Sequence, residues 1–167
     1  MLVIADTSPL NYLILIDAVG LLPRLYRKVI LPQSAWEEMK HPGAPLAVSR
    51  WAHDLPVWIE LRSAPDFHFD PGLAALGKGE SEAITLAEKY RHDSEVLLLL
   101  DEELARRHAA VRHLKVTGTL GILKSAASQG WIDLALPLAR LRQTNFRIST
   151  KFLNEMLLPD HPDAPAA

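Results

Sequence analysis

The chain has 167 residues, 49% of them hydrophobic, with 18 Lys and Arg against 20 Asp and Glu and no cysteine; one ordinary globular domain fits these numbers. The missing cysteines exclude disulfides, thiolate catalysis and zinc–cysteine sites, and the net charge of -2 argues against coating nucleic acid through global charge, although a local basic rim is compatible with it. The N-terminal residues lack a secretory-signal pattern and no apolar run approaches the ~20 residues of a membrane helix, so a soluble, cytoplasmic protein without membrane attachment is expected.

The first apolar run, Leu2 to Ala5, reads as a buried strand and stops at Asp6. Thr7-Ser8-Pro9 then starts a helix, with Leu10, Leu13, Ile14 and Ala18 at helical spacing as far as Gly20. Val29 to Leu31 forms a second strand closed by Pro32, and Gln33 to Lys40 a helix carrying Glu37 and Glu38 and ended by His41-Pro42-Gly43. Pro45 to Asp54 suits another helix, Val57 to Leu61 a more exposed strand, and Ser63 to Gly72 is rich in turn residues.

Gly77-Lys78-Gly79 leads into a helix from Glu80 to Tyr90, followed by the strand Val96 to Leu100, which stops at Asp101. Leu104 to His113 is a basic helix, Lys115 to Thr117 a short strand, and Thr119 to Gln129 a helix ending at Gly130. Two more helices are expected, over Asp133 to Gln143 and Thr150 to Leu158. The pattern predicts an α/β fold with a parallel sheet in one domain, residues 1–158, and a disordered tail over 159–167.

Asp6 and Asp101 both follow a parallel strand, and open parallel sheets bind ligands beyond the carboxyl ends of their strands. Two carboxylates brought together there repel unless a proton or a cation intervenes, and a divalent metal is the simplest solution. Glu38, Glu80 and Glu82 are the acids placed to join them. Four carboxylates around Mg²⁺ or Mn²⁺ suit phosphodiester hydrolysis by an activated water, with no side-chain nucleophile. Each acid also has a structural use: Asp6 and Asp101 as helix caps, Glu80 and Glu82 as first-turn acids on a helix dipole, Glu38 as a surface acid. Thr7, Ser8 and Thr117 suit capping or the orientation of a carboxylate. Arg106, Arg107, Arg112 and Lys115 form a basic run after Asp101 that serves either as a rim for a phosphate backbone or as a solvated helix face. The seven histidines show no paired ligand spacing, and the four tryptophans are expected to anchor the core.

Several segments resemble the PIN-domain family. Ile4 to Leu10 is similar to its first strand and Leu31 to Met39 to its second strand and helix; Gly77 to Ile84 looks like its third acidic motif, with glutamate where many members have aspartate. Leu98 to Glu102 resembles the fourth motif, without the aromatic residues common there, and Val116 to Gly121 is similar to a segment of the VapC-like branch. The resemblance implies a three-layer α/β/α fold with a central parallel sheet and a Mg²⁺- or Mn²⁺-dependent endoribonuclease. Its register assigns Asp6, Glu38, Glu80 and Asp101 as metal-binding and catalytic residues and favours Glu80 over Glu82. It further implies an RNA substrate and, for a toxin of this branch, a cognate antitoxin protein. A catalytically weak PIN domain acting as an RNA- or protein-binding regulatory module is the alternative. A homodimer through the Leu13–Leu22 face or the helix bearing Phe152, Leu153, Met156 and Leu157 is a further expectation, against packing of either on the sheet.

Overall fold

In the first strand, β1 (Leu2–Ala5), side chains alternate between two hydrophobic clusters: Val3 and Ala5 enter one, Ile4 the other. β2 (Val29–Pro32) and β4 (Val96–Leu99) do the same, with Val29, Leu31 and Leu99 on one face and Ile30, Val96 and Leu98 on the opposite one. Strands buried on both faces need helices above and below, which is why their sequences are continuous apolar runs. The computed structural model describes residues 1–64 and 70–157. It adds β3 (Ile59–Arg62) and β5 (Lys115–Thr117) to give a five-stranded, wholly parallel sheet in the order β3-β2-β1-β4-β5.

One face of the sheet is covered by α5 (Lys78–Tyr90) and α6 (Glu103–Val111), through Ala83, Ile84, Leu86, Ala87, Ala105 and Ala109. The other carries α1 (Thr7–Leu15), α2 (Leu21–Tyr26), α3 (Gln33–Lys40), α4 (Leu46–His53), α7 (Thr119–Ser128), α8 (Ala135–Leu141) and α9 (Thr150–Leu157). The arrangement is the expected three-layer α/β/α sandwich. The four tryptophans pack half-buried against the larger cluster, and Trp36 Nε1 donates to the Ala52 carbonyl at 2.8 Å.

Some boundaries differ from the sequence reading. The first helix stops at Leu15, not near Gly20, because Asp17 takes a left-handed φ of 59° and donates to Ile14 O while Ala18 N donates to Leu13 O at 2.7 Å. These are the two bonds of a Schellman cap, here made without glycine. The six-residue α2, with Pro23 inside its first turn, is too short to show a helical period, and sequence reading missed it. β3 begins two residues late: Val57 is 98% exposed and stays outside the ladder. Leu13, Ile16, Leu21 and Leu22 are buried in the core, so that face packs on the sheet. The predicted disordered tail, 159–167, and part of the turn-rich loop lie outside the described residues.

Candidate active site

From β1 the chain passes to β2 and β3 on one side, and later to β4 and β5 on the other, so the strand order reverses between β1 and β4. At such a switch point the loops leaving the two strands diverge and open a crevice. Asp6 and Asp101 are the residues at that point. Ala5 stands opposite Leu99, and Asp6 N donates to Leu99 O at 3.1 Å, which continues the ladder to the start of α1.

Asp6 caps its helix as foreseen, and its two oxygens differ in their surroundings. One carboxylate oxygen, Oδ2, caps α1 by accepting from Ser8 N at 3.3 Å, while Oδ1 is buried with no hydrogen-bond partner. The residue is only 2% exposed, and burial, reinforced by the charges of Glu80 and Glu38, pushes its pKa up to about 7 against the lowering effect of the Thr7 and Ser8 amides.

Glu38 comes from α3 and is held at both oxygens: Oε2 accepts from the Thr7 hydroxyl at 2.9 Å and Oε1 from Gly79 N at 3.1 Å. Gly79 has to be small, since a Cβ there would lie 2.8 Å from Asp6 Oδ1 and 3.2 Å from Ala35 Cα. Glu80 turns back over the start of α5 and accepts from Gly77 N at 3.0 Å. Burial raises its pKa, with Glu102 and Glu38 adding to the effect. Glu82, the rival third acid, faces elsewhere: fully engaged and 3% exposed, it accepts from Ser34 N at 2.8 Å and Ala64 N at 3.0 Å, capping α3 from another helix.

Asp101 is clamped from across the sheet edge. Thr119, at the start of α7, donates its N–H to Oδ1 at 2.8 Å and its hydroxyl to Oδ2 at 2.6 Å. Burial raises the Asp101 pKa; the Thr119 bonds and the Arg106 charge oppose it. Gly118 lets the two segments meet, because a Cβ there would sit 2.5 Å from Asp101 Oδ1. The charges of Asp6, Glu38 and Glu80 act on one another, whereas Asp101 answers to Thr119 and Arg106. Asp6, Glu38 and Glu80 thus form one electrostatic group, and Asp101 is held separately by its own partners. Sequence reasoning missed Thr119, whose contact spans 18 residues, and the part of Glu102, which caps α6 through Ala105 N at 2.8 Å while its charge reaches Glu80.

The basic run does not form a continuous rim. Arg107 pairs with Glu103, Arg112 with Asp70 and Glu88, and Lys115 with Glu95; Arg106 alone lies beside Asp101, its Nη1 donating to Leu100 O at 2.9 Å. Two clefts flank the start of α1. One of about 400 Å³ is lined by Thr7, Glu38 and His41, the other of about 720 Å³ by Ser8, Asp101 and Glu102.

Among the described residues, no three His, Cys, Asp or Glu side chains converge into a ready-made metal cage. An all-oxygen donor set with one orphaned, buried carboxylate oxygen nevertheless fits a hard divalent cation, which binds through one or two carboxylates and keeps several waters. The donors in reach favour Mg²⁺ or Mn²⁺ over a soft metal.

A parallel sheet with Asp6 and Asp101 at its switch point defines an open α/β domain, a class in which ligands bind at that edge. The chain belongs to the PIN-domain family: the family model DUF3368, described as a PIN domain, matches residues 2–159. PIN domains are generally nucleases, and the fold is nuclease-like. No curated protein and no solved structure shows significant similarity to the chain. No helix among the described residues is long and apolar enough to cross a membrane.

Proposed function

We propose that the protein is a Mg²⁺- or Mn²⁺-dependent endoribonuclease, a cytoplasmic hydrolase of RNA phosphodiester bonds, with Asp6, Glu38, Glu80 and Asp101 holding the ion. The observation that carries this reading is Asp6 Oδ1, a buried carboxylate oxygen at the sheet's switch point with no partner of its own. Such an oxygen needs either a proton or a cation. When bound, the ion would acidify a water and stabilise charge on the phosphoryl oxygens.

The chain's own residues orient the donors in advance. The Thr7 hydroxyl and Gly79 N–H fix Glu38, Gly77 N–H fixes Glu80, and Thr119 fixes Asp101, so little reorganisation is left for the moment of binding. Arg106 brings a positive charge to the Asp101 side, where a phosphate would approach. A toxin role with a cognate antitoxin rests on the likeness of Val116 to Gly121 to the VapC-like branch, and a homodimer through the exposed Phe152 and Leu157 of α9 is compatible with it.

The test is cleavage of labelled single-stranded RNA by the purified protein with Mn²⁺ or Mg²⁺, with EDTA, and with Asp6→Asn as control for a contaminating nuclease. Cutting that needs metal and is lost in Asp6→Asn supports the reading. The second reading, a PIN domain that binds RNA or protein without cutting, is favoured by the lack of a three-acid cage among the described residues. RNA binding without metal binding or cleavage would establish it.

A further inference from the structure

The larger cleft is lined by more than the acids. Besides Asp101 it is lined by Tyr12 on α1 and by Asn145, Phe146 and Arg147, in the segment joining α8 to α9. The Phe146 ring meets Tyr12 edge to face, with centroids 4.8 Å apart and planes at 88°, and Phe146 N donates to Thr144 Oγ1 at 3.1 Å. The aromatic pair is therefore fixed by two contacts, and both rings remain half-buried at the cleft.

Arg147 is exposed and makes no ion pair or hydrogen bond among the described residues. Its charge reaches into the cleft, where it acts on the Tyr12 phenol against Asp101. The acids of the same cleft are already engaged: Glu103 with Arg107, Glu102 with Ala105 N, Asp101 with Thr119. A guanidinium with no hydrogen-bond or ion-pair partner among the described residues, next to a fixed aromatic ring, is a combination suited to single-stranded nucleic acid, since the ring stacks a base of any identity and the guanidinium takes a phosphate. A volume of about 720 Å³ accommodates a ligand of that size.

The geometry points to a subsite for one nucleotide of single-stranded RNA, its base on the Phe146–Tyr12 pair and its phosphate on Arg147, next to the acids. This inference rests on the ribonuclease reading and adds where the strand lies. The strand then crosses the start of α1 from the Arg147 side toward Asp6, with Ser8 and Asn145 offering a hydroxyl and an amide to it.

The experiment is fluorescence anisotropy of the full-length protein with a labelled single-stranded oligoribonucleotide in EDTA, over a range of KCl concentrations. Arg147→Ala, Arg147→Lys and Phe146→Leu are compared with the parent, and thermal melts establish that each is folded. Arg147→Ala is expected to weaken binding about tenfold at low salt and to reduce the slope of log affinity against log salt by about 0.7, the release of one counterion from a single strand. Arg147→Lys restores the slope. Phe146→Leu weakens binding about tenfold with the slope intact. Unchanged affinity and slope in Arg147→Ala, with the parent still binding RNA, would overturn the subsite and leave the ribonuclease reading standing. A parent that neither binds nor cuts single-stranded RNA would overturn both.

Discussion

Thr119 holds both oxygens of Asp101, its N–H on Oδ1 at 2.8 Å and its hydroxyl on Oδ2 at 2.6 Å. Thr119 is wholly buried, so the hydroxyl has no water to replace its partner. Thr119→Val, nearly isosteric, should cost about 1–2 kcal/mol in urea unfolding, the penalty of a buried polar group deprived of one bond. It should also weaken Mn²⁺ binding, because the carboxylate loses its orientation. A folded variant of unchanged stability and unchanged Mn²⁺ affinity would contradict the clamp.

Two glycines give opposite expectations. At Gly79 a Cβ would press on Asp6 Oδ1 at 2.8 Å and on the Ala35 backbone at 3.2 Å, so Gly79→Ala should destabilise by about 1–3 kcal/mol and impair any ligand bound at Asp6. At Gly20, with ordinary helical φ of -63° and nothing within 4 Å, alanine should stabilise by about 0.4–1 kcal/mol through the unfolded chain. Thermal melts of the two variants side by side decide the matter.

Glu80 and Glu82 lie two residues apart yet do different work. Glu82→Gln keeps the shape but offers one acceptor where Ser34 N and Ala64 N both donate, and should cost about 2–3 kcal/mol in stability. Glu80→Gln retains an acceptor for Gly77 N and should cost less than about 1 kcal/mol, while weakening divalent-ion affinity. Denaturation and Mn²⁺ titration of the pair separate a structural acid from a ligand. The reverse pattern would exchange their roles.

The raised pKa of Asp6 makes stability depend on pH. In the folded chain the carboxyl keeps its proton up to about pH 7, while in the unfolded chain it ionises near its ordinary value of 3.8. Between those limits the unfolded chain has released a proton that the folded chain retains, so the contribution of Asp6 falls as pH rises from about 4 to about 7 and is level above. Burial moves Glu80 and Asp101 in the same direction. Asp6→Asn should remove its share of the slope: measured in EDTA, the variant should gain on the parent between pH 4 and pH 8 by on the order of a few kcal/mol. Parallel stability profiles for the two proteins would show that Asp6 titrates normally.

The fold was legible because the strands are buried on both faces and the helices recur between them, and the same pattern located Asp6 and Asp101 where apolar runs stop at an acid. Glu38 came from family register; its helix face alone marks it as a surface acid, and it is in fact exposed. Only the family register separated Glu82 from Glu80; the residues alone did not, since the partners of Glu82 are Ser34, 48 residues away, and Ala64 in a loop. The clamp of Thr119 on Asp101 and the meeting of Tyr12 with Phe146 were invisible for the same reason: each joins elements that only the closed fold brings together. The end of α1 at Leu15 was misread because an aspartate, Asp17, takes the left-handed position that a glycine would have advertised.

The central claim is that the carboxylates around Asp6 hold a divalent cation. Calorimetric titration of the metal-free protein with Mn²⁺ at pH 8, in parallel with Asp6→Asn, tests it without depending on the RNA sequence that is cut. The account predicts saturable binding by the parent that is lost or weakened at least about tenfold in the variant, and that weakens in the parent as pH falls below about 7 because the Asp6 proton must leave first. Absence of Mn²⁺ binding by the folded parent, or equal binding by Asp6→Asn, would contradict it.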